Sequence, residues 1–88
     1  MAEDKNIKPW ERMPGESAKV YTYFEYYRSL EASKRSARLV GEKFGKTVRC
    51  MENHCTDYDW VRRAEAWDDE QLRIAREDQQ KEIADLER

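Results

Sequence analysis

"SARLVGEKFGKTVRCMENHC", residues 36–55, is the stretch on which the fold turns. Ala37, Val40, Gly41 and Phe44 fall on one face of a helix that starts at Ser36, a favourable N-cap residue. Gly45 ends that helix in the manner of a left-handed C-terminal residue. Thr47 can cap the next helix almost at once, with Val48, Met51 and His54 or Cys55 toward its inner side. Gly41 stands in mid-helix at a cost of about 1 kcal/mol relative to alanine. That cost is reasonable where another helix crosses too closely for a larger side chain. A small residue in the first helix, a glycine four residues later and apolar Val40, Phe44 and Met51 at the crossing together spell a helix–turn–helix.

The flanking segments extend this into a small bundle. Val20, Phe24 and Tyr27 follow helical spacing in a helix that runs from Glu16 or Ser17 to about Leu30. Tyr21, Tyr23 and Tyr26 widen its apolar stripe, with their hydroxyls at the rim. A polar link, Glu31 to Arg35, leads into the hairpin. Before it, residues 1–15 read as a flexible arm interrupted at Pro9-Trp10 and Pro14-Gly15, with Trp10 able to pin it to the body. After it, Asp59 can cap a helix that carries Trp60, Val61, Ala64 and Trp67 inward and continues as a polar helix to the end. Leu72, Gln79, Ile83 and Leu86 form a faint heptad-like seam along that extension. The expected class is all-α: a helix–turn–helix bundle over residues 16–67 and an extended, charged C-terminal helix over 68–88.

Charge divides the chain more sharply than its net value of -2 suggests. From Lys34 to Arg49 there are six bases against one acid, a local balance of +5. From Glu65 to Arg88 there are nine acids against four bases, a balance of -5. A basic middle segment predicts a polyanion partner for the hairpin. No apolar run approaches the length of a membrane span, and no signal peptide opens the sequence, so no membrane partner is expected. Cys50 and Cys55, five apart on one helix, point to different faces, which suits free thiols in a reducing cytoplasm.

The outward residues of the second hairpin helix suit a DNA major groove. Thr47, Val48, Arg49, Glu52, Asn53 and Thr56 face away from the core by position, so Val48 counts with both faces. Arg49 can donate twice to guanine, Asn53 can pair with adenine, and Thr47 can meet an edge or a methyl group. Lys34, Arg35, Ser36 and Arg38 around the start of the first hairpin helix, and Lys46 before the second, are placed to hold phosphates. Four to six neutralised phosphates would give a log–log salt slope near -4 to -5. His54, the single histidine, lacks enough partners for a metal site and reads as packing. No nucleophile–base pair and no phosphate-cradling loop is present, so neither catalysis nor a cofactor is expected.

Three segments carry a family resemblance: "KPWERMPGESAKVYTYFEYYRSL" (8–30), the hairpin, and "YDWVRRAEAWDD" (58–69). Together they resemble the N-terminal region of phage terminase small subunits from phages and prophages of Gram-positive bacteria. The resemblance implies a helix–turn–helix that binds viral DNA to start packaging in the bacterial host cytoplasm. It also implies self-assembly through the C-terminal helix and recruitment of the terminase large subunit. In that pattern Thr47, Arg49 and Asn53 occupy the DNA-facing positions, whereas a basic residue is expected at Val48 and an aromatic one at His54. The residues alone also admit a phage transcriptional regulator or transposase-like module, and an adaptor acting through the acidic helix.

Overall fold

The computed structural model describes residues 7–86, with side chains as far as Lys81. Four helices follow one another: α1 (Ala18–Ser29), α2 (Ala37–Phe44), α3 (Val48–Asp57) and α4 (Trp60–Leu86), with one 3-10 turn (Ala32–Lys34) between α1 and α2. No strand occurs among the described residues. The chain is therefore all-α, a small bundle from which one long helix projects. Its radius of gyration, 16.2 Å, exceeds the roughly 12 Å expected of a compact chain of this length. The excess comes from α4, whose 27 residues span about 40 Å at 1.5 Å per residue.

Each of the first three helices is started by a side chain. Ser17 Oγ accepts from the Val20 amide at 3.1 Å, Ser36 Oγ from Leu39 at 3.1 Å, and Thr47 Oγ1 from Cys50 at 3.1 Å. All three caps hold extended backbone, as N-caps do. The fourth junction differs from expectation. Asp59 adopts a left-handed conformation (φ 53), and its carboxylate reaches Arg62 at 3.6 Å instead of serving as an extended N-cap. The junction has room for only Tyr58 and Asp59 between α3 and α4, so the chain reverses at Asp59 itself.

The α2–α3 turn is closed by paired backbone bonds. Gly45 is left-handed (φ 68) and its amide returns to the Gly41 carbonyl. The Lys46 amide donates to the same carbonyl at 2.8 Å, the six-to-one closure of a Schellman motif. This explains Gly41 differently from the helix crossing expected of it. A Cβ there would lie 2.6 Å from the Lys46 carbonyl oxygen and 3.5 Å from that of Thr47. The obstacle is the turn's own backbone, which cannot rotate away.

The core comprises Tyr23, Phe24, Tyr27, Val40, Met51, Trp60 and Ala64. Tyr23 meets Phe44 at 4.8 Å between ring centroids, and Tyr27 meets Trp60 at 5.3 Å. Aromatic pairs of this kind add about 0.5–1.5 kcal/mol beyond the area they bury. Val61, expected to point inward with Trp60, is 53% exposed. One residue advances a helix by about 100°, so with Trp60 and Ala64 centred on the core, Val61 turns to solvent. Trp67 packs instead at the rim, edge-on to Trp10 at 6.2 Å.

Residues 7–15 are not a free arm. The Trp10 carbonyl accepts from Tyr21 Oη at 3.0 Å and from Arg28 Nη1 at 2.6 Å. The stronger fastening is Arg63, which is 3% exposed. Its Nε donates to the Pro9 carbonyl (2.6 Å), and its Nη1 to Glu16 Oε2 (2.9 Å) and the Tyr58 carbonyl (3.2 Å). Nη2 completes the set with Glu16 Oε1 (3.0 Å) and the Glu11 carbonyl (2.9 Å). Glu16 is 1% exposed, and its Oε1 also accepts from the Met13 amide at 3.0 Å. Sequence periodicity placed Glu16 only as a possible helix start, because a buried ion pair leaves no periodic signature.

Two substitutions test these constraints by chemical denaturation. Glu16→Gln leaves a buried guanidinium without its counter-charge, and a loss of about 3–5 kcal/mol is expected. Gly41→Ala gains about 1 kcal/mol of helix propensity but overpacks against backbone at about 1–3 kcal/mol. A net destabilisation of up to about 2 kcal/mol is expected, and a raised midpoint would contradict the steric reading.

Candidate nucleic-acid interface

The caps that start α2 and α3 also present their first turns on the surface. On α3, Met51 is fully buried, while Val48, Arg49, Glu52, Asn53 and Thr56 are exposed. Cys50, His54 and Cys55 lie half-buried between these two faces. The outward set expected for this helix therefore lies on one surface. Val48, at 42% exposure, belongs to that surface and not to the core.

Seven of the eight residues expected to contact DNA fall into three groups. Lys46, Thr47, Arg49 and Asn53 are exposed on the turn and on α3. Thr47 additionally accepts the Cys50 amide at its hydroxyl oxygen as the α3 cap, which leaves its O–H donor and its methyl group to meet a partner. Lys34 and Arg38 are exposed but face acids: Lys34 Nζ is 3.8 Å from Glu31 and Arg38 Nη1 is 3.2 Å from Glu42. Exposed pairs of this sort are worth at most about 1 kcal/mol, so a phosphate can displace either acid. Ser36 is half-buried and its hydroxyl holds the Leu39 amide.

Arg35 belongs to none of them and has to be withdrawn. Its Nη1 and Nη2 donate to the two Asp68 carboxylate oxygens, both at 2.7 Å. Its Nε reaches the Tyr27 carbonyl at 3.2 Å, and Nη2 also reaches the Arg28 carbonyl at 2.7 Å. The side chain is 7% exposed. It closes the C-terminal end of α1 and ties that end to α4, with four of its five N–H donors spent within the fold and its charge matched by Asp68. With Asp68 counted against Arg35, the basic segment of +5 falls to an effective +4.

Lys43 is the remaining base of the segment. It is exposed, and its Nζ stands 5.7 Å from the Tyr26 ring centroid. That contact steadies a flexible side chain beside the basic face. No sequence spacing points to it, because Tyr26 lies on another helix.

Most arginines elsewhere in the fold are engaged, with Arg76 on the exposed part of α4 the exception among the described residues. Arg12, Arg28, Arg35, Arg38, Arg62, Arg63 and Arg73 each donate to, or pair with, a protein oxygen. Arg49 has no hydrogen-bond or ion-pair partner among the described residues, although it lies between Val48 and Cys50 on an ordered helix. Glu52, one turn on, likewise has no ion pair among the described residues. The helix thus displays a bare guanidinium, a bare carboxylate and an amide within two turns.

His54 performs the packing role expected of it. Its ring lies 6.1 Å from Tyr23, 6.2 Å from Tyr58 and 6.3 Å from Trp60, and Nε2 is 3.6 Å from Cys50 Sγ. Both cysteines are free thiols, and burial pushes the Cys55 thiol up from its ordinary pKa. No helix among the described residues is long and apolar enough to cross a membrane.

The molecule is thus an all-helical bundle displaying a helix–turn–helix whose exposed bases outnumber the acids beside them. Compared with protein-family models, curated proteins and solved structures, the chain finds no match.

The hydrogen bonds from Arg35 hold the Asp68 carboxyl below its ordinary pKa. A carboxyl lowered by folding stabilises the native state above its unfolded pKa, near 3.9, and loses that contribution as pH falls through the lower folded value. Thermal unfolding from pH 7 to pH 3 should therefore show an acid-side loss that is smaller in Asp68→Asn. Equal slopes in the two proteins would mean that the pair carries no linkage.

Proposed function

We propose that this chain is a DNA-binding module of the terminase small-subunit type, which marks viral DNA for packaging. The single observation that carries the proposal is Arg49, exposed and unpartnered on the outward face of α3 of the hairpin, while Arg28, Arg35 and Arg63 are spent on the fold. A guanidinium held on a helix and left without an acceptor suits an acceptor supplied by a partner, and guanine O6 and N7 form one of matching geometry. Lys46, Lys43, Lys34 and Arg38 supply the phosphate contacts that set the register, and Asn53 lies one turn beyond Arg49 to read a second base.

The sequence resemblance supplies the packaging role, and the large subunit, in the host cytoplasm, is then the partner to which the module delivers DNA. Self-association falls to α4. Its outer part carries Leu72 and Ile74 at 56% and 40% exposure beyond the body. Several copies on one DNA would multiply the modest affinity of a single face.

The experiment is a titration of duplex DNA at two salt concentrations, with solution mass measured on the same samples. About four displaced phosphate counterions give a log–log slope near -3 to -4, lower than composition suggested because Arg35 no longer counts. Arg49→Ala should weaken binding about tenfold, the worth of one good base contact, with unchanged thermal stability. Absence of duplex binding at low salt overturns the proposal.

A further inference from the structure

Val48 is the residue that fits least well on a surface meant for a polyanion. It is β-branched and apolar, and 42% exposed. It sits at the first position of α3, directly after the cap Thr47, whose hydroxyl oxygen accepts the Cys50 amide. It takes no part in the core, which Met51 enters from the same helix. An exposed valine among Lys46, Thr47, Arg49 and Glu52 contributes nothing to phosphate attraction, and a lysine there would contribute more.

The position nonetheless has a definite chemistry. The N-terminal residues of a helix laid in the major groove are the ones that approach base edges. Of the groups displayed there, the thymine 5-methyl is the apolar one, and an aliphatic side chain is its natural contact. Val48 adjoins Arg49, so the thymine it would touch neighbours the guanine that suits Arg49. Asn53 lies four residues after Arg49, about 6 Å further along the axis, or about two base steps at 3.4 Å each.

We infer that Val48 is a specificity-determining residue that reads a thymine methyl group next to the guanine contacted by Arg49, making the preferred ligand a duplex of defined mixed sequence. The inference rests on the DNA-binding reading above. It reverses the apparent defect of the surface: the missing cation is exchanged for discrimination between thymine and the other bases. Binding by this face is then weaker in general and more selective.

The test begins by selecting duplexes from a random pool with the full-length protein. The best duplex is then titrated as thymine DNA and again with each thymine replaced in turn by deoxyuridine, which lacks only the methyl group. At one position the replacement should weaken the wild-type protein about fourfold, the worth of one buried methyl or methylene. Val48→Ala should bind the thymine duplex more weakly by a similar factor and be indifferent to deoxyuridine at that position. Circular dichroism of Val48→Ala should match wild type, since the side chain is outside the core. Duplex binding with no position sensitive to deoxyuridine overturns the inference while leaving the DNA-binding proposal standing. Discrimination that survives in Val48→Ala also overturns it, by assigning the methyl contact elsewhere. Failure to bind any duplex at low salt overturns both.

Discussion

The guanidinium of Arg63 has five N–H donors, and the fold supplies an acceptor for each. Carbonyls of Pro9, Glu11 and Tyr58 and both oxygens of Glu16 converge on it, while the Phe24 ring lies 4.1 Å from its central carbon. Removing such a charge from water costs several kcal/mol, recovered only when geometry and hydrogen bonding are complete. Completeness here requires the N-terminal segment, the start of α1, the α3–α4 junction and the first turns of α4 in one arrangement. The pair specifies where those four pieces go more than it adds to net stability.

Around that anchor the arginines have separated into two kinds of work. Arg28 lies over the Trp67 ring at 4.1 Å and donates to the Trp10 carbonyl, and Arg35 grips Asp68. Both act as struts between α1, the N-terminal segment and α4. The hairpin is spared this work because the Schellman closure and the serine and threonine caps fix it with backbone and hydroxyl bonds. Its cations consequently remain on the surface, within one turn of the α3 start or close to the cap of α2.

Much of the hairpin was legible because its signals are local. Ser36, Gly45 and Thr47 act through bonds to residues three or four positions away, which sequence spacing captures directly. The core stripe of α1 was legible for the same reason, as Phe24 and Tyr27 repeat at helical intervals. Glu16, Arg63 and the Arg35–Asp68 pair were not legible, since their partners lie 33 to 54 residues away and charged residues normally mark a solvated face. The error at Arg35 is instructive: its place in a basic run gave it the same appearance as Lys34, and only its surroundings distinguish the two. Val61, one residue on from the buried Trp60, shows that apolar character alone does not set direction on a helix.

The reach of Arg63 also orders events during synthesis. The Pro9 carbonyl is made 54 residues ahead of the side chain that will occupy it. At about 5–20 residues per second, residues 9–16 emerge some 3–10 s before that partner exists. Meanwhile α2 and α3, whose closures are all short-range, can already form. The hairpin's closures thus depend only on residues already made, whereas the N-terminal segment, though translated earliest, gains its Arg63 fastening only once α4 has begun.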